Sequence, residues 1–145
     1  MNGKRLLLVE DDDDFRLVMS ETLVDEGFEV VEARTGDEAL ERLLNLTRLD
    51  LLVTDIQTPG HLDGNALATE AKRQHPGLPV VYISGHPESL TNRVGPIDSF
   101  VCKPFTSRHF VFEITRLLTA VNPVAPGEDL LARADNPLAV AAARR

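Results

Sequence analysis

Five short apolar runs are spaced along the chain, and between them apolar residues recur at helical intervals. Leu6-Leu7-Leu8-Val9 reads as a buried strand. Phe15, Val18, Met19 and Leu23 follow at helical spacing, with Gly27 as a stop. Phe28 to Ala33 predicts a second strand. Thr35-Gly36-Asp37-Glu38 is a capping-box pattern, opening a helix expected to bury Leu40, Leu43 and Leu44. Leu51 to Thr54 predicts the third strand, and Asp63 caps a helix running through Ala66, Leu67 and Ala71 to about His75. Pro79 to Ile83 predicts the fourth strand and Ser99 to Cys102 the fifth. The stretch from Pro87 to Gly95 between them is short and weakly patterned. Phe110, Ile114, Leu117, Leu118 and Val121 mark a last amphipathic helix.

Strands that alternate with helices imply an α/β fold: a doubly wound, five-stranded parallel sheet with helices on both faces and a short or irregular fourth helix. Right-handed crossovers restrict the topology. Residues 1–121 form this domain. Residues 122–145 open with the linker composition Asn122-Pro123-Val124-Ala125-Pro126-Gly127 and continue as an Ala/Leu-rich tail too short for a second domain. The tail docks on the domain, dimerises it or stays loose; the sequence leaves all three open.

Composition narrows the function classes. A hydrophobic fraction of 43% over 145 residues suits one packed domain. The net charge of -8 and the pI of about 4.9 argue against a nucleic-acid partner. One cysteine excludes a disulfide framework or a multi-Cys metal site. Cys102 itself is expected to be a small buried hydrophobe. The apolar run after Met1-Asn2-Gly3-Lys4-Arg5 is too short for a signal peptide or membrane span. A cytoplasmic protein with no membrane partner is the expectation.

Ligands of such sheets bind at the carboxyl ends of the strands. There the first strand ends in Glu10-Asp11, the third in Asp55, the fourth in Ser84-Gly85 and the fifth in Lys103-Pro104. Three carboxylates in one pocket repel unless a cation sits among them. Oxygen-only ligands favour a hard cation such as Mg²⁺. Asp12, Asp13 and Asp14 are assigned to the positive end of the following helix instead. Ser84 or Lys103 alone carries little weight; the signal is that all these groups fall at strand ends. His61, His75, His86 and His109 are scattered without metal-ligand spacing, and Thr58-Pro59-Gly60 reads as turn chemistry.

Four motifs together resemble a response-regulator receiver domain of two-component signalling: Leu7-Leu8-Val9-Glu10-Asp11-Asp12, Leu52 to Gly60 around Asp55, Val80 to Gly85 ending in Ser84-Gly85, and Phe100-Val101-Cys102-Lys103-Pro104-Phe105. The resemblance covers about residues 4–121. It implies a flavodoxin-like sheet in the order 2-1-3-4-5 and a phosphorelay protein rather than an enzyme. By this resemblance Asp55 takes a phosphoryl group from a histidine kinase or histidine phosphotransferase. Asp11, Asp55 and the Gln57 backbone carbonyl ligate Mg²⁺, and Glu10 acts through a metal-bound water. Ser84 and Lys103 read the phosphoryl group, Phe100 is the switch aromatic, and the Lys103-Pro104 bond is cis. Output passes to a downstream protein that the sequence does not name, or through a homodimer.

The chain departs from the family pattern in places. Thr58 stands where Met is frequent, and the Gly60–Gly64 turn is one residue longer. Phe100 lacks a hydroxyl. The Ser84-to-Lys103 interval is a few residues short, which implies a short, irregular or mobile fourth helix, and Tyr82-Ile83-Ser84-Gly85-His86 resembles stand-alone receivers in which that helix is degenerate. Gln57 and His86 lie where the family tunes dephosphorylation. A haloacid-dehalogenase-type phosphatase would need an acid where Gln57 stands. A flavodoxin-like nucleotide binder would need a phosphate loop after the first strand. A non-phosphorylated receiver-like interaction module is the stronger alternative.

Overall fold

The computed structural model describes residues 3–121. The linker and tail expected over 122–145 lie outside the described residues. The elements are β1 (Arg5–Val9), α1 (Asp13–Asp25), β2 (Glu29–Ala33), α2 (Gly36–Asn45), β3 (Leu51–Asp55), α3 (Gly64–Gln74), β4 (Val80–Ser84), β5 (Ser99–Cys102) and α4 (Ser107–Val121). The strands form one parallel sheet in the order β2-β1-β3-β4-β5. Among the described residues no helix is long and apolar enough to cross a membrane.

Side-chain alternation splits the sheet into two apolar layers. Leu6, Leu8, Leu51, Val53, Val81, Ile83 and Val101 pack against Met19, Leu23, Phe110, Ile114, Leu117 and Leu118 of α1 and α4. Leu7, Val9, Leu52, Val80 and Tyr82 pack against Ala39, Leu43, Leu67, Ala68 and Ala71 of α2 and α3. Each wholly buried Leu contributes roughly 2 kcal/mol of transfer free energy, so both layers hold the sheet rigid beneath its carboxyl edge.

The helix starts follow the sequence. Thr35 Oγ1 accepts from the Glu38 amide at 3.1 Å, and Asp63 Oδ1 from the Ala66 amide at 2.9 Å. Asp12 caps α1 through the Phe15 amide, with Asp13 and Asp14 in the first turn, as the helix-end reading expects. Two expected core positions are not core. Val18 is 55% exposed and Leu44 69%, because Met19–Leu23 and Ala39–Leu43 set the buried stripes and these two residues fall outside them.

The expected fourth helix is a single 3₁₀ turn at Pro87–Ser89, and the rest of 85–98 is loop. Cys102 corrects another expectation, for it is exposed. It shares strand parity with Phe100, which packs on the α2/α3 layer. At this edge of the sheet that layer has only the loop to cover β5. Phe100 is therefore half-buried and Cys102 open, while Val101 on the opposite face is fully buried.

Candidate functional site

Strand register brings the acidic residues together. Val9 lies beside Thr54, so Glu10 continues β1 next to Asp55, the last residue of β3. Ser84 closes β4 opposite Cys102, and the Lys103 amide donates to the Ser84 carbonyl at 2.9 Å. The Lys103-Pro104 peptide is cis, as expected. Carboxylate oxygens of Glu10, Asp11 and Asp55 all lie within 4.8 Å of one another. Glu10 and Asp55 are buried while Asp11 is exposed, which opens the cluster to solvent on one side.

Lys103 enters this cluster from β5. Its Nζ lies 3.1 Å from Glu10 Oε1 and 3.0 Å from Asp55 Oδ2. The ammonium also sits 4.8 Å from the centroid of the Phe15 ring. Phe105 stacks between Phe15 and Phe110, with ring centroids 5.6 and 5.3 Å away. The lysine stem is thus held against an aromatic wall whose face favours a cation. The remaining carboxylate oxygens are also engaged: Asp55 Oδ1 accepts from the Gln57 amide and Glu10 Oε2 from the Asp12 amide, each at 3.1 Å.

Burial pushes the Glu10 carboxyl up to about 7, and the Asp55 charge adds to the rise. The Asp12 amide and Lys103 oppose it without winning. Burial also disfavours the Lys103 ammonium, but hydrogen bonds and charge from Asp55 and Glu10 outweigh it and raise its pKa. Lys103 is therefore cationic throughout the physiological range. With Glu10 ionised, three carboxylates against one ammonium leave two negative charges in an all-oxygen site. That excess matches a hard divalent cation, so the residues fit the metal the sequence implies.

Ser84 stands apart from this cluster in its hydrogen bonding. Its Oγ accepts from the His86 amide at 2.9 Å and lies 3.1 Å from Ser89 Oγ. By strand parity Ser84 follows Val80 and Tyr82 toward the α3 side, whereas Asp55 follows Leu51 and Val53 toward α1 and α4. Gln57 is exposed beside Asp55, and Phe100 is half-buried on β5.

Two glycines read only as turn residues, and Arg16 and Asn65, which went unread in the sequence, support the site. Gly64 starts α3 against the Asp55 carbonyl; a Cβ there would lie 2.7 Å from Ile56 Cα and closer still to that oxygen. Gly60 has φ +101° and faces the Asp37 carboxylate, which accepts from the His61 amide at 3.0 Å. These two glycines let the longer turn fold back on α2 and seat α3 against β3. Arg16 donates to the Glu10 carbonyl at 2.9 Å and pairs with Glu32, fixing the backbone under the acidic cluster. Asn65 is 5% exposed on the apolar face of α3. A polar residue among Leu67, Ala68 and Ala71 was the available signal for it.

A family model described as the response regulator receiver domain matches residues 6–115. The response regulator receiver protein CpdR of Brucella abortus is 37% identical over 123 residues, covering 81% of this chain and 98% of CpdR. The sensor kinase CckA of the same organism is 33% identical over 78% of this chain, which spans only 12% of that kinase. A crystal structure of a response regulator receiver protein from Sinorhizobium medicae superposes with a TM-score of 0.76 at 31% identity. It covers 81% of this chain and 96% of that one.

Proposed function

The chain belongs to the response regulator receiver domain family, the signalling module of two-component response regulators, and from that premise we propose that Asp55 accepts a phosphoryl group in a two-component phosphorelay. The donor is the phosphohistidine of a histidine kinase or histidine phosphotransferase. Residues 1–121 are the receiver in this reading and 122–145 an appended tail. The observation that carries it is Lys103 Nζ bridging Glu10 and Asp55 beside Asp11.

The chemistry follows from what each group holds. The Asp55 carboxylate attacks phosphorus; the O–P bond forms as the P–N bond to the donor imidazole breaks, and its electron pair returns to nitrogen. The Gln57 amide and Lys103 orient the Asp55 oxygens beforehand. Asp11, Asp55, Glu10 and the Gln57 backbone carbonyl would hold Mg²⁺. When bound, Mg²⁺ offsets the charge on the transferring phosphoryl oxygens. Lys103 stays protonated and pairs with the phosphoryl group, and the Ser84 hydroxyl donates to it. Moving Ser84 away from His86 and Ser89 couples phosphorylation to the 85–98 loop and to Phe100 beside it. Protein contacts switch as that equilibrium shifts.

The test is intact mass after incubation with Mg²⁺ and acetyl phosphate. One added phosphoryl mass is expected in the parent chain and none in Asp55→Asn. An unmodified parent, or equal labelling of Asp55→Asn, overturns the reading. Asp11→Asn is expected to weaken Mg²⁺ binding in a titration; unchanged affinity removes Asp11 from the metal set.

A further inference from the structure

Residues 89–92 of the 85–98 loop are tied to α3 by one buried asparagine. Asn65 Nδ2 donates to the Ser89 carbonyl at 3.0 Å. Its Oδ1 accepts from the Thr91 and Asn92 amides at 3.0 and 3.1 Å. Asn92 returns the contact: its Nδ2 donates to the Asn65 carbonyl at 2.7 Å and lies 3.2 Å from the Tyr82 hydroxyl. Asn65 thus uses both acceptor sites and one amide hydrogen of its side chain. A buried polar group so satisfied is rigid, and loss of one partner is costly.

The other end of this network is Ser84. Ser89 has one hydroxyl hydrogen and donates it to the His86 carbonyl at 2.6 Å. Ser84 Oγ lies 3.1 Å from Ser89 Oγ and 3.2 Å from the same His86 carbonyl, so the single Ser84 hydrogen is directed at these two acceptors of the loop. Ser84 too has only one. If it donates to a phosphoryl oxygen on Asp55, it cannot donate to Ser89 or to the His86 carbonyl.

We infer that Asn65 is the residue through which the state of Ser84 reaches the loop: the chain Ser84–Ser89–Asn65 latches residues 89–92 onto α3, and withdrawal of the Ser84 proton loosens that latch. The inference rests on the proposed phosphorylation of Asp55 for its trigger but not for its wiring. Asn65 takes over the task of docking this segment in a chain that forms only one 3₁₀ turn there. It is a positioning residue, whose side chain holds the Ser89 carbonyl and the Thr91 and Asn92 amides.

Residue-resolved amide hydrogen exchange on the full chain tests it, with Mg²⁺ and acetyl phosphate as trigger and intact mass to report loading. In the parent chain, loading is expected to speed exchange at the Thr91 and Asn92 amides about fivefold, the worth of one weakened hydrogen bond. Mass gain with unchanged exchange at both amides overturns the latch. Ser89→Ala is expected to load normally, exchange faster at Thr91 and Asn92 before loading, and show no further change after it. A retained response in Ser89→Ala also overturns the latch. Asn65→Ala is expected to behave in the same way; if it does not fold, Ser89→Ala carries the test. If the parent gains no mass, the phosphorylation reading fails and Ser84→Ala decides the wiring. Faster exchange at Thr91 and Asn92 in that variant supports the latch, and unchanged exchange overturns it.

Discussion

The Lys103 ammonium lies 3.0 Å from Asp55 Oδ2, bridging residues 48 positions apart, and its other carboxylate partner is Glu10 at 3.1 Å. One cation thus holds two nearly buried anions. Lys103→Met removes it and leaves the pair uncompensated. A buried ion pair broken on one side costs roughly 3–5 kcal/mol. Lys103 is 30% exposed along its side chain, so a loss of about 2 kcal/mol is expected at pH 8. The loss should shrink toward pH 5, where Glu10 carries a proton. Urea denaturation of metal-free protein at both pH values checks this; an equal loss at both would separate Lys103 from Glu10.

Glu10 itself makes a pH prediction for the metal-free protein. Its carboxyl ionises at about 7 when folded, against an ordinary 4.5 in an unfolded chain. Between those values the folded state binds more protons. Its contribution to stability is fully present below about 4.5 and is lost as pH rises through 7. The span amounts to about 3 kcal/mol at most. Glu10→Gln removes this term, so its stability relative to the parent should rise across that window in the presence of a chelator. A difference that stays flat with pH would place the titration elsewhere.

Gly64 presses α3 against β3, the strand that ends in Asp55. In Gly64→Ala the new methyl meets Asp55 and Ile56 backbone, neither of which can swing aside. Overpacking of this kind costs about 2 kcal/mol. The denaturation midpoint should fall by a corresponding amount, and phosphoryl uptake at Asp55 should slow. Wild-type uptake in a destabilised variant would show that α3 can shift without disturbing Asp55.

Tyr82 is the chain's one tyrosine, and there is no tryptophan, so its phenolate absorbance is read without interference. Burial raises its pKa, Asn92 opposes the rise by hydrogen bonding, and Asp98 adds to it. Ionisation is expected above the ordinary value near 10, and higher still in Asn92→Ala. Stability contributed by the neutral phenol is present below about 10 and lost as pH climbs past it. An ordinary titration midpoint would mean that the loop does not keep water from Tyr82.

Much of this was legible in one dimension. Alternating apolar runs and helical stripes are local properties, and they announced the sheet, its helices and the capping roles of Thr35 and Asp63. Glu10, Asp11, Asp55, Ser84 and Lys103 were legible because a parallel sheet gathers the residues after its strands at one edge, whatever lies between. Burial was less legible. Val18, Leu44 and Cys102 are apolar by type, but exposure depends on which face a neighbouring element covers. For Cys102 that element is a loop where a helix was in question.

By itself, then, the sequence determined the fold class, the sheet edge at which Glu10, Asp11, Asp55 and Lys103 gather and the residue types found there. Tertiary structure alone decided the pairings: Lys103 with both Glu10 and Asp55, Phe15 beneath Lys103, and Asn65 with the backbone of Ser89, Thr91 and Asn92. The physical reason is that periodicity is set by backbone geometry within a few residues. A hydrogen-bond partner or a covering side chain is chosen by register and packing between segments far apart in the chain.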